Sequence, residues 1–304
     1  MVKKTRFHGS VARARQCPRL RLRLRSLRHS LLGIEGLSVC CRGREPETCA
    51  CSWRWTAFWF RPGAALFVFV TWLILISAPP ALQAQQARPV YQVHRTPRPI
   101  QVDGKLDDAA WAGAAIAGFV HNLDGSPSNL GTEARMLYDE QFLYFAFRCP
   151  DQNIWATMKQ RDDHLWTEEV VEVFLQADPT QKSYIELEVN PLGTMLDIFL
   201  LDIRKPIPYR SWNSEKLKWA VQVDGTVDGR AGDKEWTCEI ALPMEDIVPA
   251  PHTPARPGDR WRLNLYRVEN RPARELLAWS PTMRGDFHVP AMFGEIVFTD
   301  KVAP

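Results

Sequence analysis

Leu165 to Leu175 reads LWTEEVVEVFL, and its pattern decides the fold. From Val171 onward the residues alternate, so an extended chain sends Val171, Val173 and Leu175 to one face and Glu172 to the other. Trp166 stands at the start of this strand, with Asp162, Asp163 and His164 before it and Glu168 and Glu169 after it. So polar a setting predicts an indole at the edge of a loop. An aromatic plate and a carboxylate then border one surface, the first suited to apolar ring faces and the second to hydroxyl donors.

Working outward, the neighbouring segments repeat the strand signal. Thr132 to Asp139 alternates, and Gln141 to Cys149 (QFLYFAFRC) is apolar on both faces, as in a central strand covered on both sides. A tight turn at Asp139-Glu140 joins them into a hairpin. Ser183 to Asn190 and Thr194 to Leu201 form a second hairpin through Pro191-Leu-Gly193. Leu217, Trp219, Val221 and Val223 make one apolar face, and Trp236, Cys238, Ile240 and Leu242 another. Trp261 to Val268, Leu276 to Trp279 and Phe293 to Phe298 complete the set. Helical pattern is confined to Asp107–Ala115 and Met244–Ile247. These segments predict an all-β, jelly-roll-like fold, a two-sheet antiparallel β-sandwich with short helical insertions.

Charge divides the chain. The whole sequence carries +3, but residues 1–61 alone carry +11, leaving −8 for residues 62–304. An acidic remainder argues against nucleic acid or an anionic membrane surface as a partner, because phosphate contacts depend on Lys and Arg. Residues 1–63 read as a basic low-complexity leader, including Arg19-Leu-Arg-Leu-Arg-Leu-Arg25, with no core-forming pattern. Residues 64–84 read as a signal-peptide core, AALFVFVTWLILI, with a small-residue cleavage site at Leu82-Gln-Ala84. This predicts a secreted or periplasmic product. The apolar run is short of the ~20 residues of a bilayer span, which favours the signal; an uncleaved, membrane-anchored form is the alternative, on the strength of Pro79 and Pro80. Residues 85–304 then suit a single domain.

Three stretches, Val102-Asp-Gly-Lys-Leu-Asp-Asp-Ala-Ala-Trp111, Leu165 to Leu175, and Leu277-Ala-Trp-Ser-Pro281, together resemble the family 9 carbohydrate-binding modules, over essentially all of residues 91–301. Within the resemblance, VDGKLDDAAW matches a first strand, a turn at Asp103-Gly104, and a structural Trp111. The family's sugar site pairs two tryptophans around a terminal sugar, which implies Trp166 with Glu172 for the first and Trp279 for the second. Asn190 resembles a sugar-contacting Asn. Glu188 stands where the family carries Arg, replacing a fork of donors by an acceptor. The resemblance thus implies a non-catalytic module that recognises a poly- or oligosaccharide in carbohydrate catabolism through Trp166, Glu172, Glu188, Asn190 and Trp279.

Some family members hold structural calcium, and Asp162, Asp163 and Glu168 are the oxygen ligands that this chain offers in one loop. Two rival classes stay open. Glu172, Glu186 and Glu188 supply carboxylates for a glycoside hydrolase or an accessory module of one, provided two of them face each other across a bond. A haem-binding electron carrier would need Met136, Met195 or His121 as an axial ligand, since no Cys-x-x-Cys-His occurs. Cys149 and Cys238, each on an apolar strand, are the candidates for a bridge between sheets. The outward Glu186 and Glu188 are expected to be solvated, and the tail from Asp286 to Gly294 to be a packed closing loop.

Overall fold

The computed structural model describes residues 87–202, 208–209 and 212–303. The basic leader and the hydrophobic run, with the expected signal, cleavage site and anchor, lie outside the described residues. Among the described residues no helix is long and apolar enough to cross a membrane.

Fourteen strands carry the fold. They are β1 (Val90–Arg95), β2 (Ala117–Gly118), β3 (Val120–His121), β4 (Glu133–Tyr138), β5 (Phe142–Pro150), β6 (Val170–Gln176), β7 (Tyr184–Val189), β8 (Met195–Leu200), β9 (Pro208–Tyr209), β10 (Lys218–Asp224), β11 (Glu235–Pro243), β12 (Arg260–Glu269), β13 (Glu275–Ala278) and β14 (Gly294–Val302). The helical pattern at Asp107–Ala115 shrinks to one turn, α1 (Ala109–Ala112), and the second to a 3-10 turn at Met244–Asp246.

Hydrogen bonding runs unbroken in the order β10-β11-β5-β4-β1-β14-β12-β6-β7-β8-β9. The two layers of the sandwich are therefore halves of one curled sheet. The expectation of a wholly antiparallel sandwich needs one correction: β1, which the sequence reading missed, pairs in parallel with β14 on one side and with β4 on the other. Because β1 joins the halves, the sheet closes over its core without a break. The segment at Val102, matched by resemblance to a first strand, is instead irregular chain.

The alternations place the main core between the layers. Val171, Val173 and Leu175 of β6 and Ile185, Leu187 and Val189 of β7 meet Phe145 and Phe147 of β5 and Trp236, Cys238 and Ile240 of β11. Both expected hairpins form, β4 with β5 and β7 with β8. At the first, Asp139 Oδ1 accepts from the N–H groups of Gln141 (2.7 Å) and Phe142 (2.8 Å), the local bonding that makes Asp a turn residue. Cys149 and Cys238 are free and buried on the adjacent strands β5 and β11. Cys149 faces Trp236 and Cys238 faces Phe147, so the cysteines are diagonal neighbours. A diagonal separation of about 7–8 Å exceeds the Cβ spacing of about 4 Å that a disulfide needs, so the pair is unbridged.

Each layer is also covered on its outer face. Over β4, β5 and β11, Trp111 packs with Ile100, Leu137 and Tyr144, a structural role as the resemblance implied. The indole Nε1 of Trp111 donates to Glu239 Oε1 (2.8 Å), whose other oxygen accepts from the backbone N–H of Asp103 (2.9 Å) and Gly104 (2.8 Å). Gly104 has φ +82°, and a Cβ there would lie 2.9 Å from the carbonyl carbon of Val221. The VDG turn is thus seated on β10 and β11 through positions that only glycine fits. The outer face of the other layer holds the cleft.

Candidate functional site

Glu172 projects from the outer face of β6, and directly across the ladder stands Glu188 of β7, with Glu186 two residues along on the same face. The expectation that Glu186 and Glu188 face solvent is wrong. Glu172 is 1%, Glu186 5% and Glu188 0% exposed. They share that face with a second apolar cluster, in which Val170, Phe174, Tyr184, Ile198, Tyr266 and Val268 of the strands pack with Leu165 and Phe293 from the connecting segments. Alternation tells which residues share a face but not whether loops fold over it.

The cover leaves a cleft of about 310 Å³, bounded by Trp166, the three glutamates, Phe174, Arg274 and residues 285–288. Trp166 belongs to the 3-10 turn Leu165–Thr167, anchored by the fully buried Leu165. Its half-buried indole stacks on the His164 ring at 4.6 Å and 29°. Arg274 clamps this rim, Nη2 donating to the Trp166 carbonyl (3.0 Å) and Nη1 to Asn270 Oδ1 (2.8 Å). The sequence-based reading of Trp166 as a loop-edge indole beside Glu172 thus agrees with its placement.

Opposite stands the closing loop, expected to be packing alone, which supplies a wall. Phe287 lies flat on Tyr266 at 4.0 Å and 9°, and Tyr266 Oη donates to the Phe287 carbonyl (2.9 Å). Thr282 Oγ1 donates to the Asp286 carbonyl (2.8 Å), and Asp286 Oδ1 accepts from the His288 N–H (2.9 Å). His288 Nδ1 lies 2.5 Å from Tyr184 Oη and 3.9 Å from Glu186 Oε2. No periodic signal pointed to Phe287 and His288; an aromatic and a histidine in a late loop were their only trace.

The electrostatics follow from burial. Glu172 Oε1 and both oxygens of Glu188 lack a hydrogen-bond partner. The carboxyls of Glu172 and Glu188 are pushed well above the usual range, first by desolvation, and then by the Glu186 charge at Glu172 and by the Glu172 and Glu186 charges at Glu188. Arg274 counteracts this at Glu172. The Trp166 backbone N–H favours the charged form of Glu188 from nearby, but no donor meets hydrogen-bond geometry there. Desolvation dominates, so the raised direction stands.

Two expected site residues are not at this cleft. Trp279 is in the main core between the layers, 9% exposed, with Tyr91 edge-on at 6.3 Å and its ring so near Gly294 that a Cβ there would lie 2.5 Å away. It belongs to the opposite face of the sheet from Trp166. Asn190 is fully buried and spent on the β7–β8 turn: Oδ1 accepts from Leu192 N (3.1 Å) and Thr194 N (2.9 Å), and Nδ2 donates to the Met158 carbonyl (2.9 Å).

The model of carbohydrate-binding family 9 matches residues 105–298, well over half of the chain. The chain belongs to carbohydrate-binding family 9. Among solved structures it is similar to a proposed carbohydrate-binding protein from Bacteroides uniformis (17% identity, TM-score 0.60, 70% of this chain and all of that one). It is also similar to a family 9 module from Caldicellulosiruptor kristjanssonii in complex with cellotriose (13% identity, TM-score 0.50, 70% of this chain and 95% of that one). At these identities the likeness is one of fold. No curated protein sequence matches significantly.

The loop acids expected as calcium ligands of this family 9 chain do not converge. Glu168 accepts from Thr157 N (2.7 Å), Thr157 Oγ1 and Met158 N (3.2 Å), which fastens the preceding segment, while Asp163 Oδ2 accepts from Gln160 N (3.0 Å). Among the described residues the three acids that do converge are Asp151, Glu169 and Glu269, all buried. Arg267 already sits among them, donating to Asp151 (3.2 Å) and Glu269 (2.6 Å). Met136 and Met195 are in the main core, and His121 pairs with Glu275 at 3.7 Å, so the haem candidates form no site.

Proposed function

We propose that the cleft is a carbohydrate site, in which the Trp166 indole covers the apolar face of a sugar ring while Glu172, Glu186 and Glu188 at its floor take hydrogen bonds from the ring's polar edge. The observation that carries this reading is the union, in one cleft, of a half-buried indole and the buried Glu172 and Glu188, with oxygens that lack donors. Indole faces and convergent acceptors are what an amphipathic ring with hydroxyls requires. Family membership and the cellotriose complex of a neighbour of the same fold support the ligand class. We assign the chain a non-catalytic binding role in polysaccharide use, as a secreted or periplasmic protein. The three glutamates line one face of β6 and β7 side by side, whereas hydrolysis needs two carboxyls across the scissile bond. The rival hydrolase reading therefore has no geometric support.

A glycan array followed by isothermal titration tests the assignment on the full chain. Trp166→Ala is expected to abolish binding to the best array ligand while the domain stays folded. Unchanged affinity in that variant would remove the cleft from consideration.

A further inference from the structure

The floor of the cleft is built for a ligand with donors and positive charge. Glu172 and Glu188 face each other across neighbouring strands, where Cβ atoms lie about 4.5–5.5 Å apart and like charges oppose folding. Nothing beside them neutralises both. Arg274 is held at the rim by the Trp166 carbonyl and Asn270. His288 meets Tyr184 Oη and lies 3.9 Å from Glu186. Meanwhile three carboxylate oxygens at the floor have no donor. Without a counter-charge the buried pair holds its protons, and a neutral sugar would leave it in that state, because an uncompensated buried charge is the costly case. An ammonium supplies three donors and the missing charge together.

Resting on the carbohydrate reading of the same cleft, we propose that its ligand is an amino sugar with a free, protonated amine, seated between Glu172 and Glu188 while its ring lies against Trp166. Both carboxyls are pushed upward, the behaviour of a buried pair that the protein itself gives no counter-charge.

The test is isothermal titration of the full chain at pH 6 with three trimers: glucosamine trimer, its fully N-acetylated counterpart, and cellotriose. The amine-bearing trimer is expected to bind at least about tenfold tighter than either neutral one, with an affinity that falls as salt is raised. Glu188→Gln is expected to reduce that preference to less than about threefold. Glu172→Gln serves as the second variant, with the same expectation, should Glu188→Gln not fold. Neutral trimers that bind as tightly as the amine, through Trp166, would overturn the amino-sugar proposal and leave the carbohydrate site standing. A silent array together with silent titrations of all three would overturn both.

Discussion

Glu169 gives the sharpest prediction, because its protonation is fixed by a network that can be counted. Asp151, Glu169 and Glu269 are buried together, with Arg267 as their single cation among the described residues. Glu169 Oε2 accepts from the Trp155 N–H (2.6 Å), and Oε1 has no partner. Burial first, and then the Glu269 charge, push the Glu169 carboxyl up to about 10, and burial first likewise lifts Asp151 to about 6. An acid raised in the folded state binds its proton more tightly there than in the unfolded chain. Its stabilisation is therefore complete below the unfolded value, near 4.5, and is lost as pH climbs toward 10. At about 1.4 kcal/mol per pH unit, moving from pH 5 to pH 7.5 removes about 3 kcal/mol through this one group. Glu169→Gln replaces the neutral acid by a neutral amide that keeps an acceptor for Trp155. The variant should match the parent at pH 5 and exceed it by about 3 kcal/mol at pH 7.5, a rise of roughly 1 to 1.5 M in urea midpoint for a slope of about 2–3 kcal/mol/M. Glu172 and Glu188 lean the same way in both proteins and cancel from the difference. Urea unfolding followed by tryptophan fluorescence at the two pH values is the assay. If the variant's advantage is as large at pH 5 as at pH 7.5, or absent at both, Glu169 is not holding a proton and the reasoning fails.

Two further substitutions test how the fold positions the site. Trp279→Ala should cost about 3–5 kcal/mol of stability by emptying part of the main core, yet leave affinity for the array ligand unchanged, the reverse of Trp166→Ala; parallel urea unfolding and titration check the pair. Gly104→Ala should destabilise by at least about 2 kcal/mol, since it combines a left-handed backbone with a Cβ driven against the carbonyl carbon of Val221, and a midpoint within error of the parent would refute the seating of the VDG turn on β10 and β11.

Strand period, turn chemistry and charge were legible in the chain itself. The alternation in Val171, Val173 and Leu175 and the Asp139-Glu140 turn are local properties, fixed by backbone geometry wherever they occur, so they predicted β6 and the β4–β5 hairpin directly. Trp166 was legible for a related reason: acids on both sides of an indole leave it little choice but an edge. Trp279 shows the limit. It ends an apolar run, and only the pairing of β12 with β13 and the close approach of Gly294 decide that it faces the core. Likewise the sequence determined that Glu172, Glu186 and Glu188 share a face, because side-chain period is two. That this face is buried, that Phe287 and His288 wall it, and that the two halves of the sheet join through the parallel strand β1 depend on contacts between residues far apart in the chain. No local pattern encodes them, for burial is a property of what a loop more than a hundred residues away folds onto.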